Sequence, residues 1–249
     1  MILNFMIAPD FPPEYFAGWH LFNTKFQRLL ERDIHLILPS DHNEQMELIN
    51  QGDIALIYAN PFDASTLVHD KGYLPVVRPN NIPDEMVIAS YADAPYAHSD
   101  ELKAGCKILV TDNWDIQLLG LRLLEPASIG KDDIEWLHAD SYPEIARRLI
   151  AKEADAGFFL ASAYKKFSPT TLKRIKPLME SKINDLTHIV LLHPNYADLH
   201  PMLLAAFSCM SSEPMGQMIL QDLNIPDGFS ALEEEECEFL IDLIETLQD

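Results

Sequence analysis

At 249 residues and 48% apolar composition, the chain is long enough for one large domain or two of about 100–150 residues each. Thirty-nine acidic against 18 basic side chains leave a net charge of -21, which argues against nucleic acid or an anionic membrane as partner. No run of 18 or more apolar residues occurs, so no membrane insertion is expected, and Cys106, Cys209 and Cys237 are too few and too scattered for a disulfide framework or a zinc site.

The first apolar run, Met1 to Ile7, has no basic flank and stops at Pro9-Asp10. It reads as a buried strand and not as a secretory leader, which makes the chain as given cytoplasmic, or periplasmic if a leader has been removed. Pro9-Asp10-Phe11-Pro12-Pro13 is a stiff loop that pre-sets entry to a helix. Along that helix Trp19, Phe22, Phe26 and Leu29/Leu30 recur at helical spacing and read as core, while Tyr15 and Phe16 stand at its mouth as better cleft candidates. Ile34 to Leu38 is a second strand. Asp41 then caps a helix with Glu44 three residues on; the helix runs out at Gln51-Gly52, and Asp53 turns the chain into the apolar strand Ile54-Ala55-Leu56-Ile57. Tyr58 to Phe62 reads as the loop after it, and Tyr73 to Arg78 as a further strand.

The chain should leave a first lobe at Met86 to Ala89. Cys106 to Val110 is a strand entering Thr111-Asp112-Asn113-Trp114-Asp115, and the helix that follows carries Leu118, Leu119 and Leu123. Ile134 to Leu137 precedes a second capped helix, opened by Ser141-Tyr142-Pro143-Glu144 and ending at Glu153-Ala154, after which Asp155-Ala156-Gly157-Phe158-Phe159 steps into a strand. This repeats the Asp53 step, and two similar α/β lobes are the simplest source of such an echo. Six of the 18 basic residues fall between Lys165 and Lys182, which reads as a solvated basic surface of one lobe or, alternatively, as a docking patch for an acidic protein partner. Thr187 to Leu192 should return to the first lobe. His200 to Leu220 reads as helical, and Ser230-Ala231-Leu232-Glu233 caps a last helix, its acidic run favoured by the macrodipole and its buried stripe formed by Phe239, Leu240, Leu243, Ile244 and Leu247.

Strands alternating with helices predict an α/β fold of two Rossmann-like lobes with mostly parallel sheets, residues 1–87 plus 191–249 forming lobe 1 and 88–190 lobe 2. Ligands of such sheets bind outside the strand C-termini, so the loops at those ends are expected to converge on an interlobe cleft.

Several stretches resemble the phosphate, phosphite and phosphonate type of ABC-transporter solute-binding protein. They are Ile49-Asn50-Gln51-Gly52-Asp53-Ile54-Ala55-Leu56, Asp100 through Ile108, Ser141 through Gly157, and the tail Ser212 through Phe229. The resemblance covers nearly the whole chain in order. It implies the type 2 periplasmic-binding-protein fold, with a two-strand hinge and a ligand enclosed by lobe closure. An ABC permease is the partner it implies. The family holds its oxyanion on a loop rich in Ser and Thr before the second lobe's first helix, with backbone N–H groups at the helix start. Here that loop reads Thr111-Asp112-Asn113-Trp114-Asp115, in which Thr111 alone keeps a hydroxyl. Ser141 falls at the family's Ser-His position, with Tyr142 replacing the His, and Ser141 is also a good helix cap.

The expected pocket is therefore aromatic and weakly acidic: Tyr15, Tyr58, Trp114, Tyr142 and Phe159, with Asp10, Asn60, Asp112 and Asn113. Rings beside carboxylates suit an amine, a cation or a flat neutral ring better than an oxyanion. About half of these aromatics are expected to be packing residues. Arg78, near the hinge, is the one cation placed to hold an acid group. No phosphate loop, nucleophile elbow or metal motif appears, and no cofactor or metal is expected. The leading reading is a non-catalytic binder of a small molecule. Its rival is a cytosolic enzyme on the same fold, like menaquinone-pathway dehydratases, with Asp112, Asp10 or Tyr142 as acid–base groups; a ligand-free interaction module is a third possibility.

Overall fold

The computed structural model describes residues 2–11, 13–182 and 186–248. Met1, Pro12 and the side chain of Leu247, invoked above, lie outside the described residues. In chain order the elements are β1 (Leu3–Ile7), α1 (Phe16–Leu30), β2 (Ile34–Ile37), α2 (His42–Gln51), β3 (Leu56–Ala59), α3 (Pro61–Lys71) and β4 (Leu74–Pro79). There follow β5 (Met86–Tyr91), β6 (Cys106–Val110), α4 (Trp114–Leu124), β7 (Ile134–His138), α5 (Tyr142–Ile150), β8 (Ala156–Leu160), α6 (Ala161–Lys165), α7 (Pro169–Leu172) and β9 (Ile175–Glu180). The chain finishes with β10 (Ile189–Leu192), α8 (His200–Ser212), α9 (Pro214–Asp222), β11 (Phe229–Ala231) and α10 (Glu234–Gln248).

These elements form two compact units. Unit 1 takes the chain up to Ile82 and again from Thr187 to Thr246, and unit 2 holds Pro83–Leu186 with the last three residues. β5 and β10 each lie whole within one unit, because Met86 and Val87 pair with Leu160 and Phe159 of β8, and Ile189 and Val190 pair with Ala59 and Tyr58 of β3.

The unit 1 sheet has the order β11-β4-β10-β3-β1-β2. β1 runs parallel to β2 and β3, whereas β10 is antiparallel to both β3 and β4, and β11 is antiparallel to β4. The unit 2 sheet has the order β7-β6-β8-β5-β9, with β6 parallel to β7 and β8, and β5 antiparallel to β8 and β9. Both sheets are therefore mixed and not mostly parallel. The strands β5 and β10 that arrive from the other unit run against their neighbours, and a strand pattern in sequence does not encode that direction.

In unit 1 the aromatic stripe of α1 is core, as its spacing predicts. Phe22 and Phe26 pack on Phe5 of β1 and on Phe207 of α8, with Phe26 and Phe207 ring centroids 4.7 Å apart. Leu29 is only partly buried, and Leu30 closes the stripe. The stretch His200–Leu220 is helical as expected, divided into α8 and α9. Glu213 is extended at φ -90°, ψ 140°, because Pro214 disfavours helical geometry in the residue before it. α9 then folds back against α8 so closely that a Cβ on Gly216 would stand 2.2 Å from the Met210 carbonyl oxygen. In α10 the buried face is Cys237, Leu240, Ile241 and Ile244; Phe239, expected there, is 60% exposed. The carboxylates Glu234, Glu235 and Glu236 occupy its first turn, where the dipole favours them.

In unit 2 two glycines let helices sit directly on the sheet. A Cβ on Gly120 of α4 would lie 2.1 Å from the Phe158 ring, and one on Gly157 of β8 would lie 2.6 Å from Ile145 of α5. The echo between the units is offset by two residues at the strand entries, where Ala55, and not Asp53, answers to Asp155. Ala55 N–H bonds to Asn4 O of β1, and Asp155 N–H bonds to Lys107 O of β6. α5 ends at Ile150, earlier than the Glu153-Ala154 expected.

Candidate functional site

Each unit presents loops and helix N-termini at the C-terminal ends of its parallel strands. In unit 1, β1 and β3 run side by side in the register Met6↔Ile57 and Ile7↔Tyr58. Asp10 and Asn60, which follow these strands, are therefore neighbours. β10 starts opposite the end of β3, with Ile189 paired to Ala59, and this delivers His188 to the same edge. Asn60 caps α3 by accepting from Asp63 N at 2.8 Å, and its Nδ2 donates to Asp10 Oδ2 at 3.1 Å and to Asp63 Oδ2 at 3.0 Å. His188 Nε2 lies 3.4 Å from Asp10 Oδ2, and His42 Nδ1 lies 3.6 Å from Asp63 Oδ2. Gln45 of α2, which is fully buried, donates through Nε2 to Asp63 Oδ2, while its Oε1 is buried without a hydrogen-bond partner.

This group is electrostatically loaded. Burial pushes the Asp63 carboxyl above its ordinary range, and the Asp10 charge adds to the effect. The His42 ring and the hydrogen bonds from Gln45 and Asn60 pull the other way. Among the described residues, no Lys or Arg lies within ion-pair distance of Asp10 or Asp63. A wall of rings stands beside it: Phe11 stacks on Tyr58 with centroids 5.6 Å apart and planes 12° from parallel, and His188 sits 5.0 Å from Phe11 and 5.3 Å from Tyr58. Tyr15 meets Phe11 edge-on at 6.4 Å.

The sequence-predicted residues of unit 1 divide accordingly. Asp10 and Asn60 come together, with Tyr15 and Tyr58 on the ring side, although Tyr58 is 2% exposed and serves mainly as core. Arg78 does not join them through any ion pair; on β4 it pairs with Glu236 of α10 at 3.4 Å. Sequence reasoning missed Phe11, Gln45, Asp63 and His188. The spacing Asn60-x-x-Asp63, a helix-cap pattern directly after an apolar strand, was the one available signal for Asp63.

In unit 2, Thr111 to Trp114 forms the mouth of α4. Asn113 caps the helix by accepting from Ile116 N at 3.0 Å, and the Thr111 carbonyl accepts from Gln117 Nε2 at 2.8 Å. The Asp112 side chain is 95% exposed and stands 3.4 Å from His138 Nδ1. Trp114 is half exposed, with Lys131 Nζ 5.3 Å from its ring. Ser141 caps α5 by accepting from Glu144 N, and the Glu144 carboxylate accepts from the backbone N–H of Asp140, one residue before the cap, at 3.2 Å. Phe159 is a correction. It is fully buried among Tyr142, Tyr164 and Phe167 in the unit 2 core, because β8 is buried along nearly its whole length. Tyr142 packs against the same core.

The family model described as "ABC transporter, phosphonate, periplasmic substrate-binding protein" matches residues 5–237. The chain belongs to this family of substrate-binding proteins. Comparison with curated proteins gives no match. Among solved structures, the chain is similar to PhnD1 from Prochlorococcus marinus (MIT 9301) in complex with methylphosphonate, at 11% identity and TM-score 0.81, covering 99% of this chain and 98% of that one. XAC2383 from Xanthomonas citri bound to ATP matches at 12% identity and TM-score 0.81, over 100% and 98% of the two chains. A binding protein component of an ABC phosphonate transporter from Pseudomonas aeruginosa matches at 12% identity and TM-score 0.74, over 99% and 86%. At these identities the structures establish a shared fold, the type 2 periplasmic-binding-protein fold. Among the described residues, no helix is long and apolar enough to cross a membrane, and no group of three or more His, Cys, Asp or Glu side chains is placed to hold a metal ion.

Proposed function

We propose that the chain takes up a small solute reversibly, leaves it chemically unchanged and passes it to an ABC permease, and that this solute is not a phosphonate. The periplasm is the compartment in which the family's role would be performed. One observation carries the choice of solute. At each helix start at the strand C-terminal ends a side-chain cap already takes one N–H of the first turn: Asp41 on Glu44 N, Asn60 on Asp63 N, Asn113 on Ile116 N and Ser141 on Glu144 N. Proline removes a further N–H from the first turns of α3 and α5. An oxyanion depends on free N–H groups, and at the unit 1 helix starts it would also meet the carboxylates of Asp10 and Asp63. Thr111, Asn113, Trp114, Ser141 and Tyr142 would line the solute's surroundings in unit 2, and Asp10, Tyr15 and Asn60 those in unit 1.

The test is a thermal-shift screen over a metabolite panel, followed by calorimetry and mass spectrometry of the recovered solute. Saturable stabilisation with the solute returned intact supports the proposal. Conversion of the solute would replace it with an enzymatic reading, and tight binding of methylphosphonate would overturn the choice of solute.

A further inference from the structure

We infer that the Asp10–Asn60–Asp63–Gln45 group of unit 1 receives the charged nitrogen of a protonated amine; the inference rests on the reading of the chain as a solute-binding protein. Its first support is the balance of donors and acceptors. Asp10 Oδ2 is engaged by Asn60 Nδ2 and faced by His188 Nε2, whereas Asp10 Oδ1 has no hydrogen-bond partner among the described residues. Asp63 Oδ2 takes bonds from both Asn60 and Gln45. The second support is independent of the carboxylates. The Gln45 carboxamide that donates to Asp63 has its own oxygen buried with no donor, in a side chain that is 0% exposed. Buried acceptors of this kind are uncommon, and an arriving N–H donor would satisfy one.

Charge points the same way. Two carboxylates share Asn60 as their bridge, and among the described residues the only basic groups within ion-pair distance are two histidines, His42 and His188. A cation compensates this arrangement and an anion aggravates it. Among the described residues no group of three or more His, Cys, Asp or Glu side chains is placed to hold a metal ion, so a metal is left to the calcium arm of the test. An ammonium needs no such shell. Its N–H donors make charge-assisted bonds to carboxylate and amide oxygens, and its carbon chain can lie against the partly exposed face of Phe11, which stacks on Tyr58 beside Asp10.

The test is titration calorimetry with putrescine and ethanolamine as probes, with methylphosphonate and calcium chloride run alongside. At least one amine is expected to bind saturably at one per chain. Asp10→Asn should weaken it about 10- to 100-fold, as expected for loss of a charge-assisted hydrogen bond, with the unligated melting midpoint little changed. Gln45→Met should weaken it about fivefold and serves if Asp10→Asn fails to fold; Asp242→Asn, on the exposed face of α10, should leave it unaltered. Undiminished amine binding in Asp10→Asn, or stabilisation by calcium alone, overturns the inference. If a panel metabolite binds and no amine does, the inference falls and the solute-binding reading stands. If an amine binds and is converted, the inference stands and that reading falls. Silence from every probe and every metabolite defeats both.

Discussion

Gly120 offers a test in which two effects of known sign compete. It sits inside α4, where alanine is intrinsically preferred by about 1 kcal/mol, so a helix considered alone would be stabilised by Gly120→Ala. The added methyl, however, would stand 2.1 Å from Cε2 and 2.4 Å from Cδ2 of Phe158, a ring that is 1% exposed and flanked by Trp136 at 6.0 Å. A buried ring held on several sides cannot yield, and overpacking of this kind costs about 1–3 kcal/mol or more. At 2.1 Å the overlap falls at the upper end of that range, about 3 kcal/mol, and, less the helix gain of about 1 kcal/mol, Gly120→Ala should destabilise unit 2 by about 2 kcal/mol net. Phe158→Leu alone should cost about 1–2 kcal/mol through the space it leaves. Combined, the two should be less damaging than their sum by about 1 kcal/mol, because the new methyl fills part of that space. Urea unfolding followed by tryptophan fluorescence reads this directly, since Trp136 lies beside the perturbed ring. An alanine variant as stable as the parent, or strict additivity in the double variant, would refute the claimed close approach of α4 to β8.

Asn60→Ala removes the α3 cap and two side-chain bonds; a loss of about 1–2 kcal/mol in denaturant unfolding is expected, together with weaker solute binding by calorimetry. Asp63 has a folded pKa raised above its unfolded value by burial, so its contribution to stability is fully present below about pH 3.8 and lost as the pH rises through the folded pKa. The stability of the parent relative to Asp63→Asn, whose side chain cannot ionise, should accordingly fall as pH is raised through the acid range, measured by urea midpoints at each pH. Burial pushes the Cys106 and Cys237 thiols up to about 11, while Cys209 is half-buried, so a thiol reagent at pH 8 should label about one cysteine per chain quickly and the other two only on unfolding.

Features written in local residue chemistry were legible in the sequence. The caps at Asp41 and Ser141, the stop at Gly52, the stripe of Trp19, Phe22 and Phe26, and the paired steps near Asp53 and Asp155 are all decided within a few residues. Strand direction was not legible, because β5 and β10 take it from where the chain comes from and not from their own apolar residues. The face of α10 was misread because Phe239 is large and apolar yet lies one position off the row of Cys237, Leu240, Ile241 and Ile244. The site was half legible. Asp10 and Asn60 follow strands and could be found by that rule, but His188 and Gln45 reach them only through sheet register and helix packing, across 178 and 18 residues of chain to their carboxylate partners. Phe159 shows the opposite failure, an aromatic that looks available in sequence and is closed off by a strand with neighbours on both faces.

The place of β10 in the unit 1 sheet sets an order of events during synthesis. It lies between β3 and β4, so a ribosome that has released the first 82 residues has released a sheet lacking its middle. Unit 2, almost wholly one uninterrupted stretch, can complete its sheet and bury its core while unit 1 still exposes the flanks of β3 and β4. Those bare edges persist until the C-terminal segment emerges, which makes the nascent chain, and not the finished protein, the form most in need of chaperone protection.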